Sequence, residues 1–262
     1  MSGTGREALR ADDAAYVRYQ YSDDQKLRIR IETHTKYSER TGFQQWVVGN
    51  VDARTGQRLL DVGSGTGADY HPLFHGVDVV ALDLSPAMLA KVQAKRVNAD
   101  AQALPFGDKT FDRVVSNHML YHVPDKTRAL AEMRRVVRSG GRVVITANSR
   151  SSYSSLWSLR DAAVRELGLQ PHRGVGHYFA IEDVNLVASV FPTVRVEHWN
   201  DAFVFPGAEP VFRYLATGPA SMETDADRER LFAVLRPHIE EIVAREGVLR
   251  VPKSAGCFIA DV

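Results

Sequence analysis

"RLLDVGSGTGADY", residues 58–70, is the stretch that decides how the rest of the chain is read. Leu59, Leu60 and Val62 form a short apolar run, and Gly63, Gly65 and Gly67 follow at once. A buried strand that runs into closely spaced glycines is a strand-to-helix turn. A ligand can approach the backbone closely there, because glycine has no Cβ in the way.

Outward from this turn, apolar runs alternate with helical patterns. "VDVVALDLS" (77–85) reads as a second strand. Ser85 is its natural end, with Ser as helix N-cap and Pro86 at the first helical position. A short strand is expected near 96–99, a fourth at 111–118 ("FDRVVSNH"), and a fifth at "RVVITAN". "PDKTRALAEMRRVVRSGG" puts Leu130, Met133 and Val137 on one helical face, with Gly140-Gly141 read as its C-cap. Strands separated by helices of this length give βαβ units. The fold class is therefore α/β: a Rossmann-like, mainly parallel seven-stranded sheet flanked by helices, with an antiparallel last strand. A helical preamble over 16–51 precedes it, and "SRSSYSSLWSLRDAAVRELG" reads as an inserted helical stretch. "AIEDVNLVASVF" and "DRERLFAVLRPHIEEIVAREG" read as helices, "TVRVEHWNDAFVF" as a strand, and "VLRVPKSAGCFIADV" as a hairpin or edge strand. The expected division is 1–50 as a helical lid, 51–150 as the cofactor core, and 151–262 as a substrate-facing insertion that completes the sheet.

Composition excludes several classes. The 262 residues carry a formal charge of +1, so no strong field favours nucleic acid or anionic lipid. Cys257 is the single cysteine, which rules out an intrachain disulfide framework and a multi-cysteine metal site. The N-terminus contains acids and lacks an apolar segment, unlike a secretory signal, and no run approaches the ~20 apolar residues of a membrane span. A reducing, cytoplasmic setting and a small-molecule substrate follow as expectations, with no metal, nucleic-acid or membrane partner and an undetermined oligomeric state.

From Gly63 the turn fits both G-x-G-x-x-A, a dinucleotide fingerprint, and G-x-G-x-G, a pattern of S-adenosylmethionine enzymes. Asp83 lies 20 positions on and suits a ribose diol, which both cofactors carry. "LLDVGSGTG", the acid in "ALDLSPAML", "NADAQALPFGDKTFDRVVSNHMLYHV" and "RVVRSGGRVVI" then recur in one order over about 57–147. In these segments the chain resembles class I S-adenosylmethionine-dependent methyltransferases with a UbiE-like small-molecule core. Two positions depart from the family: Ser139 stands where proline is usual before the glycines, and Ser64 where cysteine is common.

The resemblance implies S-adenosylmethionine as cofactor. It sets Asp100 and the Ala101 amide against the adenine, and Leu84 and Met88 around the adenosine. Asp61, Gly63, Ser64 and Gly65 join Asp83, Gln102 and Asn117 in the expected cofactor set. "KLRIRIETHTKYSERTGFQQW" resembles the segment before the first motif in related enzymes, which implies Arg30 and Tyr37 at the methionine carboxylate. "SNHMLYHVPD" ends the fourth strand, where ligands of open α/β sheets react. Its His118 and His122 are candidate general bases, with pocket-shaping as the alternative. Tyr16, Tyr19, Tyr153, Trp157, His177 and Tyr178 are candidates for the substrate wall, or plain core. The late segments resemble actinobacterial small-molecule enzymes, which implies an acceptor from secondary metabolism. A nicotinamide oxidoreductase and a non-catalytic S-adenosylmethionine-binding protein are the competing readings; no Tyr-x-x-x-Lys pair supports the first.

Overall fold

The computed structural model describes residues 11–13, 16–17, 20–169, 177–218 and 225–262. β1 (Arg58–Val62), β2 (Asp78–Asp83), β3 (Lys95–Asn98), β4 (Phe111–Asn117) and β5 (Val137–Asn148) pair in parallel. β6 (Val194–Phe205) and β7 (Leu249–Asp261) close a seven-stranded sheet in the order β3-β2-β1-β4-β5-β7-β6, with β7 antiparallel to both its neighbours.

The strands are apolar in nearly every position because both faces are covered. Alternation sorts them: Leu60, Val62, Val114 and Val143 face one cluster, while Leu59, Val115 and Val144 face another. The first face is covered by α4 (Lys126–Val136), whose Leu130 and Met133 are fully buried, and by α6 (Val184–Ala188). The second is covered by α2 (Phe43–Val51) through Val47 and Val51. The remaining helices are α1 (Gln25–Tyr37), α3 (Pro86–Leu89), α5 (Ser154–Glu166), α7 (Ala208–Leu215) and α8 (Asp225–Glu246). β6 and β7 run on past the other strands, and α5, α7 and α8 bury Phe203, Phe205, Leu249 and Val251 there as a separate core.

In the preamble the chain turns at Ser38–Gly42 between α1 and α2, and Gly42 takes φ 89°. Three local expectations change. The helix after Pro86 is one short turn; the Ser85 hydroxyl accepts from the Met88 amide as its cap. Gly140-Gly141 is not a C-cap, since α4 ends at Val136 and Val137 is already extended. β7 is neither a hairpin nor an edge: its 13 residues run unbroken between β5 and β6.

Candidate active site

The carboxyl ends of β1, β2 and β4 open into one cavity of about 1060 Å³, roofed by α1 and backed by α5 and β7. Its floor is the glycine turn. Gly63 takes φ 75°, and a Cβ there would stand 2.2 Å from Met119 Cγ, so neither the conformation nor the space admits another residue. The Gly63 and Ser64 amides both donate to the Leu82 carbonyl, which fixes the turn against β2.

Two carboxylates flank that turn. Asp83 Oδ2 accepts from the Gly65 amide and Oδ1 from the Ser85 amide, each at 2.8 Å. Burial raises its pKa, and these amide bonds partly oppose the rise. Asp61 is 2% exposed; His71 Nε2 lies 2.9 Å from its Oδ2, while Oδ1 is buried with no hydrogen-bond partner among the described residues. A buried carboxylate oxygen left open on a cavity wall is a place for a donor that the chain itself does not supply.

The two histidines of "SNHMLYHVPD" differ. His118 follows β4 at φ 48°, its amide donating to Thr146. Its ring lies 5.8 Å from Phe43, and its nitrogens have no hydrogen-bond partner among the described residues. Burial, with the nearby Lys253 charge, lowers its pKa to about 4. His122 is fully engaged. Its Nδ1 lies 2.8 Å from the Ala11 carbonyl, which can only accept, so Nδ1 carries the proton. Nε2 therefore accepts from the Tyr21 hydroxyl at 2.8 Å.

Residues 60–145 match the family model described as "Methyltransferase domain". Over these residues the chain is similar to class I S-adenosylmethionine-dependent methyltransferases of the UbiE-like group. The demethylmenaquinone methyltransferase of Renibacterium salmoninarum is 41% identical over 117 residues, 42% of this chain and 49% of that protein. The phosphatidylethanolamine N-methyltransferase of Cereibacter sphaeroides is 36% identical over 127 residues, 44% of this chain and 62% of that protein. Among solved structures, Haemonchus contortus phosphoethanolamine N-methyltransferase 2, complexed with phosphomonomethylethanolamine and S-adenosylhomocysteine, aligns at TM-score 0.55 and 17% identity over 97% of this chain and 60% of that one. That likeness extends the shared fold beyond the matched core. The chain spans about half the length of the demethylmenaquinone methyltransferases it matches.

The methyltransferase cofactor is S-adenosylmethionine, and the residues present fit it. The unpartnered Asp61 Oδ1 suits an ammonium, Asp83 retains lone pairs for a diol, and the Gly63–Gly65 backbone leaves room for close approach. Ser64, Leu84, Met88, Asp100, Ala101, Gln102 and Asn117 all line the same cavity. Leu84 is half exposed over it, and Asp100 is held by the Gln102 amide at 2.8 Å. Arg30 lines it too, but its Nε donates to Thr217 Oγ1 at 3.1 Å and another nitrogen to the Thr217 carbonyl.

Other residues fall elsewhere. Tyr37 is not on the cavity wall; it packs against Phe205 at 5.3 Å in the core formed with α5, α7 and α8. The tyrosine beside Arg30 is instead Tyr21, which contributes to the cavity wall. Tyr16, Tyr153, Trp157 and His177 also line the cavity. Tyr178 packs against the main core, and Tyr19 lies outside the described residues. His71 opens a 3-10 turn and is the partner of Asp61. Only a fold that returns the chain to β1 ten residues later brings the two together.

Proposed function

We propose that this chain transfers the methyl group of S-adenosylmethionine to a small organic acceptor. The observation that carries the reading is one continuous cavity. It joins the glycine turn and its two carboxylates to an aromatic chamber lined by the His118 imidazole. Methyl transfer is an in-line displacement at a sulfonium carbon, so the chain's work is to bind, align and desolvate both reactants. In this reading Asp61 takes the methionine ammonium, Asp83 the ribose diol, and Asp100 with the Ala101 amide the adenine. Gly63, Ser64, Gly65, Leu84, Met88, Gln102 and Asn117 complete the cofactor half. Arg30 and Tyr21 close it from above.

His118 is the base candidate for an acceptor that must lose a proton, since its imidazole stays neutral at physiological pH. His122 is a positioning residue, because Ala11 and Tyr21 occupy both its nitrogens. Tyr16, Tyr153, Trp157 and His177 form the acceptor wall. The segment before Phe43 acts as a lid, whereas α2 belongs to the sheet. A net charge of +1 and a deep cavity support a small acceptor over nucleic acid. Among the described residues no helix is long and apolar enough to cross a membrane, and a cytoplasmic location is part of the proposal.

Mass-spectrometric detection of S-adenosylhomocysteine during incubation with a panel of phenols, amines and carboxylic acids tests this. Acceptor-dependent product supports it. Tight cofactor binding with no product from any acceptor would leave a protein that uses the cofactor without transferring its methyl.

A further inference from the structure

The cavity wall also holds charged and polar groups to which the cofactor reading gives no role. Lys253 projects from β7 with its side chain 10% exposed, lines the cavity, and pairs with Asp201 at 2.5 Å. Its Nζ also sits 4.9 Å from the centre of the Phe203 ring. Asp201 is otherwise committed: its Oδ1 accepts from the Arg40 amide at 3.0 Å and the Ala202 amide at 2.7 Å. One oxygen of one carboxylate is thus the only acceptor that Lys253 meets among the described residues. Burial pulls the ammonium's pKa down, and the Asp201 contact offsets part of that.

The neighbouring polar groups are donors as well. Trp199 Nε1 is buried on the cavity wall with no partner among the described residues. The Arg40 guanidinium lies 3.8 Å over the Trp199 ring. His34, stacked edge-on against Phe203 at 4.8 Å, and His118 also face this space. Between these donors the walls are aromatic: Phe43, Tyr153, Trp157 and Trp199. An unpartnered buried N–H beside a buried ammonium that meets a single carboxylate oxygen suits an oxygen-bearing ligand.

We propose that the acceptor half of the cavity binds a flat aromatic molecule through a carboxylate, and that Lys253 holds that carboxylate. The proposal rests on the methyl-transfer reading for the name acceptor. The binding itself depends only on this wall.

Calorimetric titration of the full chain with 4-hydroxybenzoate and its neutral isostere 4-hydroxybenzamide tests it, run with and without saturating S-adenosylhomocysteine. Expected is at least tenfold tighter binding of the carboxylate. Lys253→Arg retains that preference, and Lys253→Met removes it. Lys253→Met strands the buried Asp201, so the neutralised pair Lys253→Met with Asp201→Asn is measured beside it, with thermal unfolding to confirm folding; it too should lose the preference. Equal binding of the two probes, or a preference that survives in the neutralised pair, overturns the proposal. A preference for the carboxylate without any S-adenosylhomocysteine binding would uphold the subsite and count against the cofactor reading alone.

Discussion

Acidification should unfold this protein through its buried imidazoles well before its carboxylates titrate. Burial lowers the pKa of His118 and His122 from 6.5 to about 4 and of His34 to about 3. In the unfolded chain each returns to the ordinary value, so between those limits the unfolded state binds more protons. Stability is then fully present above the unfolded pKa and falls as pH drops toward the folded one. Between pH 7 and about 5 an unfolded imidazole gains most of a proton and a native one almost none. At ~1.4 kcal/mol per unit this gives about 2 kcal/mol per histidine and roughly 6 kcal/mol for three. That is a large share of the ~5–15 kcal/mol that holds a typical domain. Asp83 works the other way, since its raised pKa lets the native state take up a proton first. Asp78, Glu39 and Glu132, held low by basic partners, act only below their unfolded values, outside this window. Urea unfolding at the two pH values, on wild type and on His34→Gln, His118→Gln and His122→Gln, reads the effect. Each variant should flatten the pH dependence by about a third. Equal wild-type stability at both pH values, or an undiminished fall in the triple variant, would refute the reasoning.

Four further outcomes follow from the site. Asp83→Ala removes a charged acceptor for two hydroxyls, each bond worth roughly 1.5–3 kcal/mol, so calorimetry should show at least a tenfold loss of S-adenosylhomocysteine affinity. Gly63→Ala puts a Cβ into Met119 at a positive φ, so cofactor binding should vanish and the melting temperature should drop. His118→Gln should slow transfer to a hydroxyl acceptor ~10²-fold or more, with the deficit shrinking at high pH and cofactor affinity intact. His122→Gln should instead loosen the Tyr21 contact and speed proteolysis of the N-terminal segment. Identical pH–rate profiles for wild type and both variants would remove histidine from the chemistry.

The sheet was legible because each parallel strand is buried on both faces and so is apolar almost throughout; Leu59 and Leu60, adjacent in sequence, serve opposite cores. Long-range context was not legible. Pro252 and Gly256 look like turn residues in "VPKSAG". In the fold, Gly256 sits where a Cβ would meet Glu197 O at 2.6 Å and Ile181 at 2.7 Å, so it serves close packing within β7. Gly140-Gly141 looks like a helix stop, but α4 has already ended at Val136 and the chain is extended from Val137. In the site, the residues next to the strand ends could be listed from the motif. Those that cross from another element could not: Tyr21 beside Arg30, His71 on Asp61, and the Lys253–Asp201 pair from β7 and β6. Tyr37 shows the reverse error, since helical spacing cannot tell a tyrosine on the cavity wall from one two turns away that fills the core around Phe205.

The central claim is that the glycine turn and its two carboxylates bind S-adenosylmethionine. Calorimetric titration of the wild-type chain with S-adenosylhomocysteine, and in parallel with NAD, tests it most directly. The account predicts saturable one-to-one binding of S-adenosylhomocysteine and no heat from NAD. Binding of NAD with no response to S-adenosylhomocysteine would contradict it.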